Sequence, residues 1–85
     1  MYKKILGASL TKVDGKFYII KDSEVYEVNE TAARIFDLCD GKKEIGEIKD
    51  KVASFFGESV CDIGVDLDEF FQELLGLGLI QTTNL

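Results

Sequence analysis

Apolar positions along the chain recur first with period two and then, past residue 29, with the period of a helix. Leu6–Val13, Phe17–Lys21 and Val25–Val28 are short runs rich in β-branched and aromatic residues and read as three strands. Asp14-Gly15 lies between the first two. That dipeptide suits a two-residue hairpin turn, in which both central residues need positive φ. Asp22-Ser23-Glu24 then turns the chain into the third strand and completes an antiparallel meander. In the second strand Phe17 and Ile19 point one way and Tyr18 and Ile20 the other, so both faces of this small sheet carry apolar groups.

The period changes within Val28-Asn29-Glu30-Thr31-Ala32-Ala33, with no linker between strand and helix. Ala32, Ile35, Phe36 and Cys39 share one helical face, and Asn29 can accept from the free N–H groups of the first turn. Glu30 suits the positive end of the helix dipole. The spacing predicts a first helix over Glu30–Cys39, stopped at Asp40-Gly41, where Gly41 supplies a left-handed residue. A second helix over Gly46–Phe56 has Ile45, Ile48, Val52, Phe55 and Phe56 on one face and Gly57 as its stop. Glu47 and Lys51 stand i, i+4 on its solvent side. A third helix occupies part of Cys61–Gly76, centred on Asp66–Leu75. Gly64 weakens its first turns by up to about 1 kcal/mol and allows a fray or break there. Gly76 and Gly78 mark its exit, Leu79-Ile80 packs back as a short extended segment, and Thr82–Leu85 reads as a loose tail. These elements make an α+β fold, a three-stranded antiparallel sheet followed by three helices.

Two features suggest a binding surface. On the third helix Ile63, Leu67, Phe70, Leu74 and Leu77 form a stripe that is enough to attach it to a core. Phe71 and Leu75 add a second row beside it. Either the helix is buried on two sides, or part of the second row lines a groove for a partner's apolar side chains. The meander also leaves its first and third strands as edges with unpaired N–H and C=O groups. The third has neither Pro nor Lys to block pairing, so an extended peptide could add there as a fourth strand.

Length and charge narrow the function classes. Eighty-five residues make one domain over 1–85, because two halves would each be near the limit of about 40 residues for unassisted folding. The net charge is −6, and Lys51 is the last basic residue, followed by Glu58, Asp62, Asp66, Asp68, Glu69 and Glu73. Such a balance argues against nucleic acid, whose phosphates call for a basic patch. There is no apolar run of about 18 residues and no signal peptide, so a cytoplasmic protein without membrane attachment is expected. Cys39 and Cys61 both fall in apolar patterns and read as reduced, buried small hydrophobes.

The parts of most catalytic sites are missing. The chain has no His, the commonest general base and metal ligand. Its two Cys stand 22 positions apart with no ligand pattern near them, and its glycines are scattered as turn and cap residues. Asp66 and Glu69 share a helical face but have no catalytic neighbour, so they read as a solvated acidic face. No catalytic residue, metal ligand or cofactor is expected; binding is the better class.

The order of these pieces resembles the PqqD-like family, the winged-helix-like RiPP recognition elements of peptide natural-product biosynthesis. The resemblance covers about Leu10–Gln81. It rests on Val28-Asn29-Glu30-Thr31-Ala32-Ala33, Ile35 and Phe36, Cys39-Asp40-Gly41, Ile45 and Ile48, then Asp66, Phe70, Leu74 and Gly78-Leu79-Ile80. It implies a single PqqD-like peptide-binding domain, core about 6–81, that acts as a peptide chaperone rather than an enzyme. Such a domain binds the leader region of a ribosomally synthesised precursor peptide as a strand added to its third strand and against its third helix. It then delivers the peptide to a modifying enzyme, a radical SAM protein or a leader peptidase. The matching surface is Val25, Tyr26, Glu27 and Val28 on the strand, with Asp66, Leu67, Phe70, Phe71, Leu74 and Leu75 on the helix. The wholly acidic third helix further implies a leader with Lys or Arg near its apolar anchors.

Two other readings share the architecture. A winged-helix DNA-binding domain would need a recognition helix able to approach phosphate, and neither later helix has the charge. A generic protein-interaction or regulatory domain could use the same open edge on a folded partner. The open edge and the apolar row also allow a homodimer when no peptide is bound.

Overall fold

The computed structural model describes residues 1–83. Its strands are β1 (Tyr2–Lys4), β2 (Ala8–Val13), β3 (Lys16–Lys21), β4 (Glu24–Val28) and β5 (Ile80–Thr82); its helices are α1 (Glu30–Leu38), α2 (Ile45–Phe55) and α3 (Val60–Gly76). β2, β3 and β4 form the antiparallel meander in that order, followed by the three helices. Asp14 and Gly15 have φ of 52° and 79°, as the hairpin requires. The second turn is also two residues long, with Asp22 at φ 55°.

Register divides the sheet into two faces. Leu10, Ile19 and Tyr26 stand opposite one another, as do Lys12, Phe17 and Val28. Ile19 is fully buried, and Leu10, Tyr26 and Val28 pack against the core, so this face lies on the helices. Ser9, Ile20 and Val25, with Thr11, Tyr18 and Glu27, form the outer face.

A second sheet was not foreseen. β1 pairs antiparallel with β5, Lys4 opposite Ile80, and joins the two ends of the chain. On its other side β1 meets residues 39–41: the Lys4 N–H donates to the Cys39 carbonyl at 3.1 Å and the Gly41 N–H to the Tyr2 carbonyl at 2.8 Å. Gly41, expected as the helix stop, therefore serves that junction. Its φ is 80°, and a Cβ there would lie 3.4 Å from the Lys3 Cβ. α1 ends earlier than expected, at Leu38, with Cys39 as its cap. The first strand of the meander starts at Ala8 rather than Leu6, because Leu6 and Gly7 turn the chain out of β1 and leave Leu6 96% exposed. Thr82 belongs to β5, and the Thr83 N–H donates to the Met1 carbonyl at 2.8 Å, so the tail is anchored as far as Thr83. Asn84 and Leu85 lie outside the described residues.

The helices follow their caps. Asn29 Oδ1 accepts from the Ala32 N–H at 2.8 Å, as its position predicted. α3 runs unbroken through Gly64 and starts at Val60, where Ser59 Oγ accepts from the Cys61 N–H and Asp62 occupies the first turn. Burial of Leu67, Phe71 and Leu74 outweighs a propensity cost of about 1 kcal/mol at Gly64. The exit of α3 is a Schellman motif. The Gly78 N–H bonds the Leu75 carbonyl and the Leu79 N–H the Leu74 carbonyl, both at 3.0 Å, and the paired apolar residues Leu74 and Leu79 are both buried. Leu77 is its C-cap residue and stands 38% exposed, outside the stripe to which spacing assigned it.

A corresponding motif ends α2. The Gly57 N–H bonds the Ser54 carbonyl and the Glu58 N–H the Ala53 carbonyl. Ile48, Val52 and Ala53 form the buried face, whereas Phe55 and Phe56, expected there, stand 53% and 36% exposed. The core is one cluster of Ile19, Ile35, Phe36, Cys39, Ile48, Val52, Leu67, Phe71, Leu74, Leu79 and Ile80.

Candidate functional site

The free edge of β4 is the first component. Among the described residues β4 pairs with β3 and with no other strand. The two-residue turn closes on Lys21 opposite Glu24, a hydrogen-bonded pair, and hydrogen-bonded and open pairs alternate from there along an antiparallel ladder. Tyr26 and Val28 therefore spend their backbone groups on β3 and send their side chains to the inner face. Val25 and Glu27 have the opposite arrangement: their N–H and C=O groups point out along the free edge, and their side chains lie on the outer face. These two residues are what an added strand would bond.

The second component is a cavity of about 300 Å³ beside α3, lined by Thr31, Phe56, Glu58, Ile63, Asp66, Leu67 and Phe70. Each side has a local cause. The Asn29 cap starts α1 so that Thr31 falls three residues after Val28, a span of at most about 10 Å of chain. The turn at Gly57 leaves Phe56 outside the α2 face and delivers Glu58 to the rim. The i, i+3, i+4, i+7 spacing of Ile63, Asp66, Leu67 and Phe70 presents all four from one side of α3.

Of the helix residues predicted for the site, Asp66, Leu67 and Phe70 meet at the cavity, Leu67 as its buried floor. Phe71 and Leu74 are buried in the core, and Leu75 is half-buried against it. Phe71, read as part of a groove row, is covered by β1: its ring lies 5.2 Å from that of Tyr2, centroid to centroid. Thr31, Phe56 and Glu58 were not foreseen as site residues. An apolar residue immediately before a helix-stopping glycine was the signal available for Phe56.

The charge around α3 is uneven. Lys49 Nζ of α2 lies 2.5 Å from Asp68 Oδ1, whereas the pair expected between Glu47 and Lys51 is not made among the described residues. Asp66 and Glu58 have no ion-pair partner among the described residues. At the end of β4 nearer the turn, the Tyr26 hydroxyl donates to the Glu24 carboxylate, which raises the phenol's pKa. On the far side of α2, the Arg34 guanidinium lies 3.7 Å above the Phe55 ring. That pair lines a smaller cavity of about 150 Å³ with Lys51 and Asp37. Among the described residues no group of three or more Cys, Asp or Glu could hold a metal ion, and no helix is long and apolar enough to cross a membrane.

The family model for Coenzyme PQQ synthesis protein D (PqqD) matches residues 17–80, from the start of β3 to the start of β5. The chain belongs to the PqqD family. Members of that family are peptide-binding, non-catalytic accessory chaperones of PQQ and RiPP biosynthesis, and the resemblance carried by the Asn29 junction and the third helix is thereby shown. No curated protein and no solved structure matches the chain significantly. The family match begins after β2 and ends at Ile80, so the β1–β5 clasp lies almost wholly outside it.

Proposed function

We propose that this PqqD-family chain captures the leader region of a ribosomally made precursor peptide as a fourth strand on β4. A large apolar leader side chain fills the cavity beside α3. The complex then presents the rest of the precursor to a modifying enzyme in the cytoplasm, a radical SAM protein or a leader peptidase. The observation that carries this reading is the outward-facing backbone of Val25 and Glu27 at the end of a strand that runs into a cavity-lining helix. Main-chain bonds supply affinity and the cavity supplies selectivity, the division of labour common to strand-addition binders.

Of the predicted surface, Val25 and Glu27 offer the pairing groups on the edge of β4, Tyr26 and Val28 turn to β3 and the core, and Asp66, Leu67 and Phe70 stand at the cavity. Phe71, Leu74 and Leu75 act by holding α3 in place. A second copy can use the same edge when peptide is absent, so a homodimer that peptide dissociates is consistent with this reading.

The test is an amide NMR titration of the labelled chain with synthetic leader segments of precursor peptides encoded beside its gene. Shifts concentrated in residues 25–28, 56–58 and 63–70 support capture at this site. A folded spectrum that saturating peptide leaves unchanged overturns it.

A further inference from the structure

The cavity beside α3 has an apolar floor and a one-signed rim. Phe56, Ile63, Leu67 and Phe70 give it apolar walls, and its volume of about 300 Å³ is at the low end for a ligand site. That space suits one large side chain of an extended peptide better than a free small molecule. The charged residues that line it are both acids, Glu58 and Asp66, and neither has an ion-pair partner among the described residues. Nor does α3 contribute a cation of its own, because the last basic residue is Lys51. Lys49, which does reach α3, is held by Asp68.

A purely apolar occupant would make no use of the two rim carboxylates, which are exposed. An occupant with a cation beside its apolar side chain would give both carboxylates charge-assisted hydrogen bonds. Successive residues of a strand advance by about 3.3 Å, so a long basic side chain one or two positions from the anchor reaches the rim.

We infer, building on leader capture, that this cavity selects peptides in which a large apolar residue stands within two positions of a Lys or Arg. Glu58 and Asp66 read the cation. Of the six acids that follow Lys51, Glu58 and Asp66 line the cavity, and Asp68 is paired with Lys49.

The test is selection from a display library of random twelve-residue peptides, run in parallel on the intact chain and on its Glu58→Gln/Asp66→Asn variant. Both substituted residues are exposed, and an unchanged urea midpoint verifies the fold. The intact chain is expected to enrich Phe, Leu, Ile or Met paired with Lys or Arg, and the variant to enrich the same apolar residues without the basic ones. Selected peptides should lose on the order of tenfold affinity for the intact chain between 50 and 500 mM salt, as screening predicts for a rim charge, and less than about twofold for the variant. Apolar enrichment alone on the intact chain overturns the inference and leaves peptide capture standing. Basic enrichment that persists on the variant also overturns it, since other residues would then read the charge. If the intact chain selects no peptide at all, the capture reading fails with it.

Discussion

Lys49 of α2 reaches across to Asp68 of α3, Nζ to Oδ1 at 2.5 Å, on a different side of the helix from cavity-lining Asp66, because residues two apart in a helix do not share a face. Asp68 is more than half exposed, so the pair contributes little to stability. Lys49→Gln should lower the unfolding free energy by less than about 1 kcal/mol, read from urea titration. Its effect on binding should also be small: with Asp68 released on the side of α3 away from the cavity, the salt dependence of a bound basic peptide should stay unchanged, and a steeper slope would mean that Asp68 reaches the peptide.

Val25 tests whether the edge of β4 acts through its backbone. Its N–H points away from β3, so Val25→Pro deletes a donor that an added strand needs while sparing the existing ladder. Val25→Ala keeps the donor and removes most of a side chain that is already 61% exposed. Isothermal titration with a leader peptide should show binding lost in Val25→Pro and reduced only a few-fold in Val25→Ala. Equal losses in both would point to side-chain recognition instead of strand addition.

Phe70 and Phe71 are adjacent in sequence and separate in role. Phe71→Ala empties a core position sealed by Tyr2 and should cost about 3–5 kcal/mol, most of the stability of a domain this small. Phe70 is only partly buried, and Phe70→Ala should cost roughly 1–2 kcal/mol while abolishing the cavity's contribution to peptide affinity. Denaturant midpoints and peptide titration of the two variants separate these effects; a Phe70→Ala chain that binds as tightly as the parent removes the cavity from the site.

The two phenylalanines also mark the boundary of what the sequence made legible. Features set by neighbouring residues could be read directly: the Asp14-Gly15 hairpin, the Asn29 cap, the glycine exits at Gly57 and Gly78. What could not be read was the pairing of Tyr2–Lys4 with Ile80–Thr82, because three-residue strands are too short to show a period and their partners lie at opposite ends of the chain. Several errors follow from that one omission. Without β1, Phe71 looked like a groove residue, Gly41 looked like a helix stop and the tail looked loose. The exposed Phe55 and Phe56 have a different cause: the helical period places both on the core face of α2, but they stand at its C-terminal end, past Val52 and Ala53, the last buried residues of the helix.

Asp40 gives a pH signature to the β1 junction. Its carboxylate accepts from the Lys43 ammonium at 2.5 Å and from the Lys42 N–H at 2.8 Å, which hold its pKa down at about 2. A carboxyl depressed by folding stabilises the native state above its unfolded pKa, near 3.9, and loses that contribution as pH falls towards about 2. Urea midpoints should therefore fall more steeply between pH 4 and pH 2 in the parent than in Asp40→Asn. Parallel curves would show that the residue titrates alike in both states.

The two thiols should behave oppositely, against their similar appearance in sequence. Cys39 is buried in the core, donates to the Ile35 carbonyl at 3.1 Å, and has its pKa pushed up to about 12 by burial. Cys61 is exposed in the first turn of α3. A disulfide-exchange reagent at pH 8 should therefore titrate one thiol in the folded chain and two in guanidinium, since the thiolate is the reactive form. Cys61→Ser should leave the native protein unreactive. The raised Cys39 pKa also has a stability consequence: folding favours the protonated thiol, so its contribution is complete below the unfolded pKa, near 8.5, and is lost as pH climbs towards about 12. Cys39→Ala should flatten that alkaline decline; rapid labelling of both thiols in the folded chain would instead mean that the seam between β1 and α1 opens readily.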